Sequence, residues 1–548
     1  MEAHKYWQQN AVYQIYPRSF ADSNGDGIGD IPGIIGKLDY LHDLGIGIIW
    51  LSPVYRSPND DMGYDVSDYR SINPEYGTME DMERLIEEAR NRGIRIVMDL
   101  VVNHTSDEHR WFMESKKEGS PYRDYYYWRK GRKNNALPPN NWTAMFPGSA
   151  WEFVPEVGLW YLHLYGKKQP DLDWHNPKVY EEVVGILKFW LDKGVYGFRC
   201  DVINQIWKES LEDGKGHGQS ARGIEHYLMK EGNHQILLRL QKDVFSHYDS
   251  LVIGETYDVD YPNGKRFLDG EMDMFFQFDH MGLDKPATPF IPKRFSSKRF
   301  MKIIYGWQLH SSWNANYLEN HDQLRSISRF GDEKRYWKES GQMLATLNLT
   351  LRGTPFIYEG EEIGMLNLPK EKPSQYKDVC CLNIYHIFTT HHLPEKAAVN
   401  FIDHYNRDHA RSPMQWDSSR NAGFSSKSGE CWIPVNANYP RVNVALEERD
   451  PDSILSYYKA LLQIRKGSDA LIVGTFEPLK VKAPLYAYKR TFGSETILVV
   501  LNFSAKQVRL PSSLRTCEGA ILLSNYGVKA LSSLERFRPF EALVASLK

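Results

Sequence analysis

The 548-residue chain predicts an α/β fold: a (β/α)8 TIM barrel with an inserted domain after its third strand and a C-terminal antiparallel β-domain. Three observations predict it. Eight short runs rich in β-branched and aromatic residues alternate with longer segments of helical periodicity. Three carboxylates, Asp201, Glu255 and Asp322, follow the fourth, fifth and seventh runs. One connection, after the third run, is too long to be a loop.

In chain order, the strand-like runs are Ala11–Tyr16, Ile46–Leu51, Ile94–Val101, Tyr196–Cys200, Leu251–Ile253, Met274–Phe278, Asn316–Leu318 and Thr354–Tyr358. Helical spacing fills Ile31 to Leu44, Met79 to Arg92 and Tyr180 to Lys193. The barrel is thus expected over 1–103 and 174–467. Between them, 104–173 is rich in Trp, Tyr, Pro and Asn without a clean helix. Connections beyond about 15 residues are usually functional or separate modules, so this one is expected to wall the active site. Over 468–548 the pattern turns to short alternating runs, Leu485–Tyr488, Thr496–Val500 and Glu541–Ala545, as in an antiparallel β-sandwich.

Composition narrows the partners. A net charge of −3 gives no field that would gather nucleic acid or an acidic membrane. No apolar run is long enough to span a bilayer, and MEAHKYWQQN has no apolar signal core. The five cysteines are few, odd in number and without metal-ligand spacing, which fits a reduced, cytoplasmic protein. Monomer or weak dimer is the expected state. Aromatic content of 13% suits stacking on the apolar faces of sugars, although most rings must simply fill a large core.

The chemistry lies in GFRCDVIN (Gly197 to Asn204), VIGET (Val252 to Thr256) and ENHDQ (Glu319 to Gln323). Each places a carboxylate at the C-terminal end of a strand, where barrel active sites sit. Opening a glycosidic bond with retention needs two carboxyls flanking one oxygen, one as nucleophile and one as acid then base. Arg199, two residues before Asp201, shares its strand face and favours an ionised nucleophile. Glu255 must hold its proton until it donates, so its surroundings should raise its pKa. His321 can hydrogen-bond a sugar hydroxyl. A lone Asp at a strand end is more often a cap or turn former. The order and placement of the three together reverse that weighting.

These strings are not isolated. With AVYQIYPRSF, DSNGDGIGD, DLVVNHTS, QPDLDW and RSPMQWD they resemble the alpha-amylase superfamily, and within it the oligo-1,6-glucosidase and alpha-glucosidase group, from about Ala11 to Gly423. The resemblance implies Asp201 as nucleophile, Glu255 as acid/base and Asp322 as transition-state stabiliser. It implies Asp65, His104, Arg199, His321 and Arg411 around a non-reducing glucose, with Tyr64 stacked on it and Phe146 and Tyr165 shaping the pocket. Val202 resembles the members that favour α-1,6 linkages, a bias worth ~1–3 kcal/mol. Short gluco-oligosaccharides are the expected substrates, attacked from the non-reducing end. The alternatives are an α-1,4-glucosidase, a sucrose-active transglucosylase or isomerase, and a trehalose-6-phosphate hydrolase whose phosphate would meet Lys215, His217 and Arg222.

A second motif reads as a metal loop. Asp22, Asn24 and Asp26 alternate, Gly27 follows, Ile28 offers a carbonyl and Asp30 is acidic. This spacing follows a calcium loop, except that Gly33 stands where a bidentate Glu would close it. The resemblance implies Ca²⁺ in a structural role, with Mg²⁺ as the alternative.

Overall fold

The computed structural model describes residues 4–217, 220–286, 291, 293–369 and 372–548. Eight parallel strands form the central sheet: β1 (Val12–Ile15), β2 (Ile48–Leu51), β3 (Arg95–Leu100), β4 (Gly197–Cys200), β5 (Leu251–Glu255), β6 (Met274–Phe276), β7 (Ala315–Asn316) and β8 (Thr354–Tyr358). Their hydrogen-bonded order is β6-β5-β4-β3-β2-β1-β8-β7. β6 and β7 lie side by side at the seam, which nearly closes the barrel. Most of these strands are buried along their whole length, as a sheet covered on both faces requires.

Register brings the chemistry together. Asp99 of β3 pairs with Arg199 of β4, and Arg199 pairs with Ile253 of β5. Glu255 ends β5 opposite Phe276. The side chains that follow therefore emerge on one rim.

The helices form where the spacing predicts, with ends set by capping. Met79–Asn91 starts at Thr78, whose hydroxyl accepts from the Asp81 amide while Asp81 reaches back. Pro177–Asp192 begins three residues ahead of the periodic segment, because Asn176 caps it and Pro177 needs no amide partner there. The predicted Ile31–Leu44 helix is two, Ile31–Ile35 and Leu38–Leu44, separated at Gly36 and Lys37. The seventh strand lies earlier than the sequence suggests. The Tyr317 carbonyl accepts from His280 at 3.0 Å and the Tyr317 hydroxyl donates to Gln277, so the chain leaves the ladder after Asn316.

The insertion holds a three-stranded antiparallel sheet, Trp128–Arg129, Leu159–Leu162 and Trp151–Val154 in spatial order, and a short helix, Arg110–Ser115. Tyr127, Trp142, Trp151, Leu162 and Leu164 give it a small core of its own. At the C-terminal end, β9 (Thr475–Pro478), β10 (Leu485–Phe492), β11 (Glu495–Asn502), β12 (Gly519–Ser524) and β13 (Ala542–Leu547) form a five-stranded antiparallel sheet ordered β9-β10-β11-β13-β12. Buried Arg490 ties it to the barrel by donating to the Thr350 carbonyl at 2.7 Å, and buried Arg465, in the helix just before, donates to the Leu349 and Leu471 carbonyls. Among the described residues, no helix is long and apolar enough to cross a membrane.

Gly197 shows how tightly β4 and β5 are joined. A Cβ on it would lie 1.9 Å from the Leu251 carbonyl oxygen. Gly197→Ala should therefore cost roughly 3 kcal/mol, as overpacking against backbone does, read as a lower denaturation midpoint.

Candidate active site

At the rim, one guanidinium meets three carboxylates. Arg199 Nη1 donates to Asp99 Oδ1 and to Asp201 Oδ1, both at 2.6 Å, and Nη2 lies 2.8 Å from Glu255 Oε2. Arg199 and Asp99 are fully buried, and Asp201 and Glu255 nearly so. A single cation cannot neutralise three buried anions, so the group must keep protons. Burial pushes the Asp201 carboxyl well up, Arg199 pulls it down, and Glu255 and Asp99 push it up again. Burial likewise takes Asp99 up to about 6 against the pull of Arg199. Asp201 and Glu255 share the one guanidinium, Asp201 Oδ1 2.6 Å from Nη1 and Glu255 Oε2 2.8 Å from Nη2. A shared cation favours the ~5–5.5 Å spacing of a retaining pair over the ~6.5–9.5 Å of an inverting pair, which must admit a water.

Asp99 is braced from behind. Its Oδ2 accepts from Trp50 Nε1 at 2.9 Å and from the Tyr64 hydroxyl at 3.1 Å. The face of Tyr64 stacks on His321, with ring centres 5.2 Å apart and planes 5° apart. His321 Nδ1 meets Gln14 Nε2 at 2.8 Å, so this nitrogen is the acceptor and Nε2 carries the hydrogen. Burial pushes the His321 pKa down to about 3, which keeps the ring neutral.

Asp322 is the opposite case from Asp201. Burial works against its charge but is outweighed by His321 and by the guanidiniums of Arg407, Arg411 and Arg199. The net effect holds its carboxyl far below the usual range. Arg411 Nη2 donates to Asp322 Oδ1 at 3.0 Å, and Arg407 Nη1 lies 3.4 Å from the same oxygen. Burial and charge thus push Asp201 and Asp322 in opposite directions on one rim.

Most residues singled out in the sequence converge here. His104 is buried, neutral because of that burial, and its Nε2 donates to the Tyr64 carbonyl at 3.0 Å. The Tyr165 hydroxyl donates to Gln205 at 3.1 Å, and its ring meets Phe146 edge-on at 5.6 Å. Val202 follows Asp201 and donates its amide to Glu255 Oε2 at 3.1 Å.

Two expectations need correction. Asp65 does not reach the pocket. It is fully buried, and its carboxylate accepts from the Ser57 hydroxyl and the Asp60 and Asp61 amides, holding the turn. Burial lifts its pKa to about 7 despite those bonds. The carboxylate that faces the network is Asp61, whose Oδ1 accepts from Arg407 Nη2 at 3.1 Å and whose Oδ2 accepts from Gln169 at 3.2 Å. Arg411 is also set back: 1% exposed, it is spent on Asp322 and on the His321 carbonyl. Arg407 takes the forward place, its guanidinium 5.4 Å from the Phe146 ring. The doublet Asp60–Asp61 and the four-residue spacing of Arg407 and Arg411 were the signals in the sequence.

The stretch from Lys377 to Lys396, which carries no motif, joins this network. It holds the helix Val379–Thr390, and Asp378 at its N-cap pairs with Arg407 at 2.7 Å. Gln169 and Asp171 of QPDLDW bind the insertion to the rim, Asp171 through buried Lys208 at 2.6 Å. Lys215 and His217 stand exposed, and positions 218 and 219 of their loop lie outside the described residues.

The Asp22–Asp30 loop offers only oxygen donors, which suits a hard cation. Asp22 accepts from the amides of Asn24, Gly25 and Gly27, and Asn24 and Asp26 each accept from the amide two residues on. Asp30 accepts from Ser23 and Gly33, and Lys427 donates to the Asp26 carbonyl at 2.7 Å. Among the described residues, no three His, Cys, Asp or Glu side chains gather around one point that could hold a metal. The donor types fit an ion and their present orientation does not form a cage, so no chemical step below runs through one.

A barrel rim with two carboxyls joined by one guanidinium, and a third held low by cations, has the layout of a retaining glycoside hydrolase. Residues 14–474 match the alpha-amylase catalytic domain, and the chain belongs to the alpha-amylase family. It is 48% identical to the oligo-1,6-glucosidase of Parageobacillus thermoglucosidasius over 560 residues, 99% of each chain. Its structure is similar to that of Bacillus licheniformis trehalose-6-phosphate hydrolase, with a TM-score of 0.91 at 42% identity over 99% of this chain and 100% of that one. Isomaltulose synthase from Klebsiella sp. LX3 gives a TM-score of 0.94 at 38% identity, with both chains wholly covered.

Asp201, not Asp322, sets the acid limb, because its carboxyl is pushed well up while Asp322 is held far below the usual range. Arg407→Gln removes one charge that holds Asp322 in place and ionised. The maximum of kcat/KM should then fall by on the order of 100-fold with the acid limb left in place, as a pH–rate profile would record.

Proposed function

We propose that the chain is a retaining exo-α-glucosidase that releases α-glucose from the non-reducing end of short gluco-oligosaccharides, with preference for α-1,6 linkages. The observation that carries this reading is the Arg199 guanidinium spanning Asp201 and Glu255. Asp201 attacks the anomeric carbon while Glu255 gives its proton to the departing oxygen. The C–O bond breaks, the shorter sugar leaves, and glucose remains esterified to Asp201. Glu255, now a carboxylate, takes a proton from water, whose oxygen attacks the same carbon and frees Asp201. Two inversions give net retention.

The other groups have roles that follow from their surroundings. Asp322, held ionised, opposes the positive charge that develops on the ring and accepts from its hydroxyls. Asp61 and Arg407 form a charged pair suited to the far hydroxyls of a terminal glucose, which limits attack to chain ends. Neutral His104 and His321 can each take part in hydrogen bonds to hydroxyls without adding charge. Tyr64 offers a ring face, with Phe146 and Tyr165 as walls. The α-1,6 preference rests on Val202 and on similarity to oligo-1,6-glucosidases.

Asp201→Asn should lower kcat by about 10⁴-fold or more with little change in Tm, because a weak neutral nucleophile replaces a carboxylate. Near-normal turnover would end the assignment. Across isomaltose, maltose, sucrose and trehalose-6-phosphate, kcat/KM should be highest for isomaltose, with α-glucose the first anomer seen by NMR. A clear preference for trehalose-6-phosphate, or new disaccharides from sucrose, would move the reading to the corresponding relative.

We also infer a structural Ca²⁺, or Mg²⁺, at Asp22, Asn24, Asp26, the Ile28 carbonyl and Asp30. Chelation should then lower Tm by a few degrees and added Ca²⁺ restore it; an unchanged Tm would leave the loop closed by its own amides and Lys427. The five free cysteines support a reducing compartment, in keeping with a cytoplasmic protein, and a monomer or weak dimer is the simplest state for it.

A further inference from the structure

Val202 sits in a conformation that a valine rarely takes. Its φ is 39° and ψ 38°, in the left-handed region. A β-branched residue there is a genuine outlier, and such outliers persist only where the surroundings impose them. Glycine or asparagine would fit the same turn without strain.

Two contacts show what the conformation achieves. The Asp201–Val202 peptide turns its N–H onto Glu255 Oε2 at 3.1 Å, the oxygen that also receives Arg199 Nη2. The chain then bends into a short 3₁₀ turn, Ile203–Gln205, closed by the Gln205 amide on the Val202 carbonyl. That turn sets Asn204 over the segment following Glu255. Fully buried Asn204 donates to the Tyr257 carbonyl at 2.8 Å and accepts from the Tyr257 amide at 3.3 Å. The segment after Asp201 thus grips the segment of Glu255 at two points, the Glu255 carboxyl and the Tyr257 peptide.

We propose that Val202 and Asn204 are positioning residues: the left-handed turn at Val202 aims a main-chain N–H at the acid/base carboxyl, and Asn204 locks the spacing between the two catalytic loops. The N–H stabilises the ionised form of Glu255 as it must form after proton donation, and it restricts the carboxyl to the side facing Asp201. This goes beyond a side-chain contribution of Val202 to linkage preference. It rests on the assignment of Glu255 as acid/base.

The test removes the N–H and nothing else. Val202 is replaced by its α-hydroxy analogue through suppressor translation of the full chain, which turns one amide into an ester. With one donor fewer, the charge that Glu255 carries after giving up its proton is less stabilised. The basic limb of kcat/KM on isomaltose should move up by about one pH unit, since that limb reports loss of the acid's proton, with at least a tenfold fall in kcat and a smaller change in KM. Val202→Gly keeps the N–H and tolerates the same backbone, so its basic limb should stay where the wild-type limb lies. An ester form whose limb superimposes on the wild type would overturn the proposal, as would a shifted limb in Val202→Gly. Asn204→Ala should lower kcat at least tenfold with KM little changed; an unaltered kcat would remove Asn204 from the proposal. Glu255→Gln separates the underlying assignment: ordinary isomaltose hydrolysis by that variant would refute the acid/base role itself, whereas an inactive Glu255→Gln beside an unshifted ester refutes only the positioning role.

Discussion

The active site is organised around the charge of Arg199. Removing a guanidinium from water costs several kcal/mol, and only close carboxylates can offset it. Asp99, Asp201 and Glu255 do so at 2.6–2.8 Å, but they bring one negative charge too many even when one of them is protonated. Together with burial, that excess pushes the Asp201 carboxyl well up and Asp99 to about 6. Asp99 never needs to meet substrate to matter, since it fixes the guanidinium from a strand position in register with it.

A second charged network closes the other side. Arg407 joins Asp61, Asp322 and Asp378, which belong to three different segments of the chain. Arg325 supports them from beneath, donating to Glu319, to the Glu359 carbonyl and to the Ala410 carbonyl. The loop after β7, the end of β8 and the segment bearing Arg407 and Arg411 are thereby held as one unit. Barrel strands supply rigid ends, and the buried cations fix the loops between them.

Much of this was legible in the sequence because its signals are local. Strand runs, helix spacing, the carboxylates at strand ends and the long insertion all follow from neighbours in the chain. What stayed hidden depends on contacts between distant segments. Asp65 stands next to Tyr64, but only the fold shows that turn amides consume it while Arg407 faces Asp61. Arg407 likewise takes the place expected of Arg411, which is spent on Asp322 and the His321 carbonyl. The stretch from Lys377 to Lys396 had no motif, because its contribution is one cap residue, Asp378, pairing with an arginine 29 positions on. The left-handed backbone at Val202 left no trace, since no rule of composition places a valine there.

The central claim is that Asp201 forms a covalent bond to the sugar while Glu255 manages the proton. It is tested most directly by trapping that species with 5-fluoro-α-D-glucosyl fluoride and mapping the labelled peptide by mass spectrometry. The account predicts one glucosyl label per chain, on Asp201, that turns over slowly. A stoichiometric label on any other residue, or steady hydrolysis with inversion and no label at all, would contradict it.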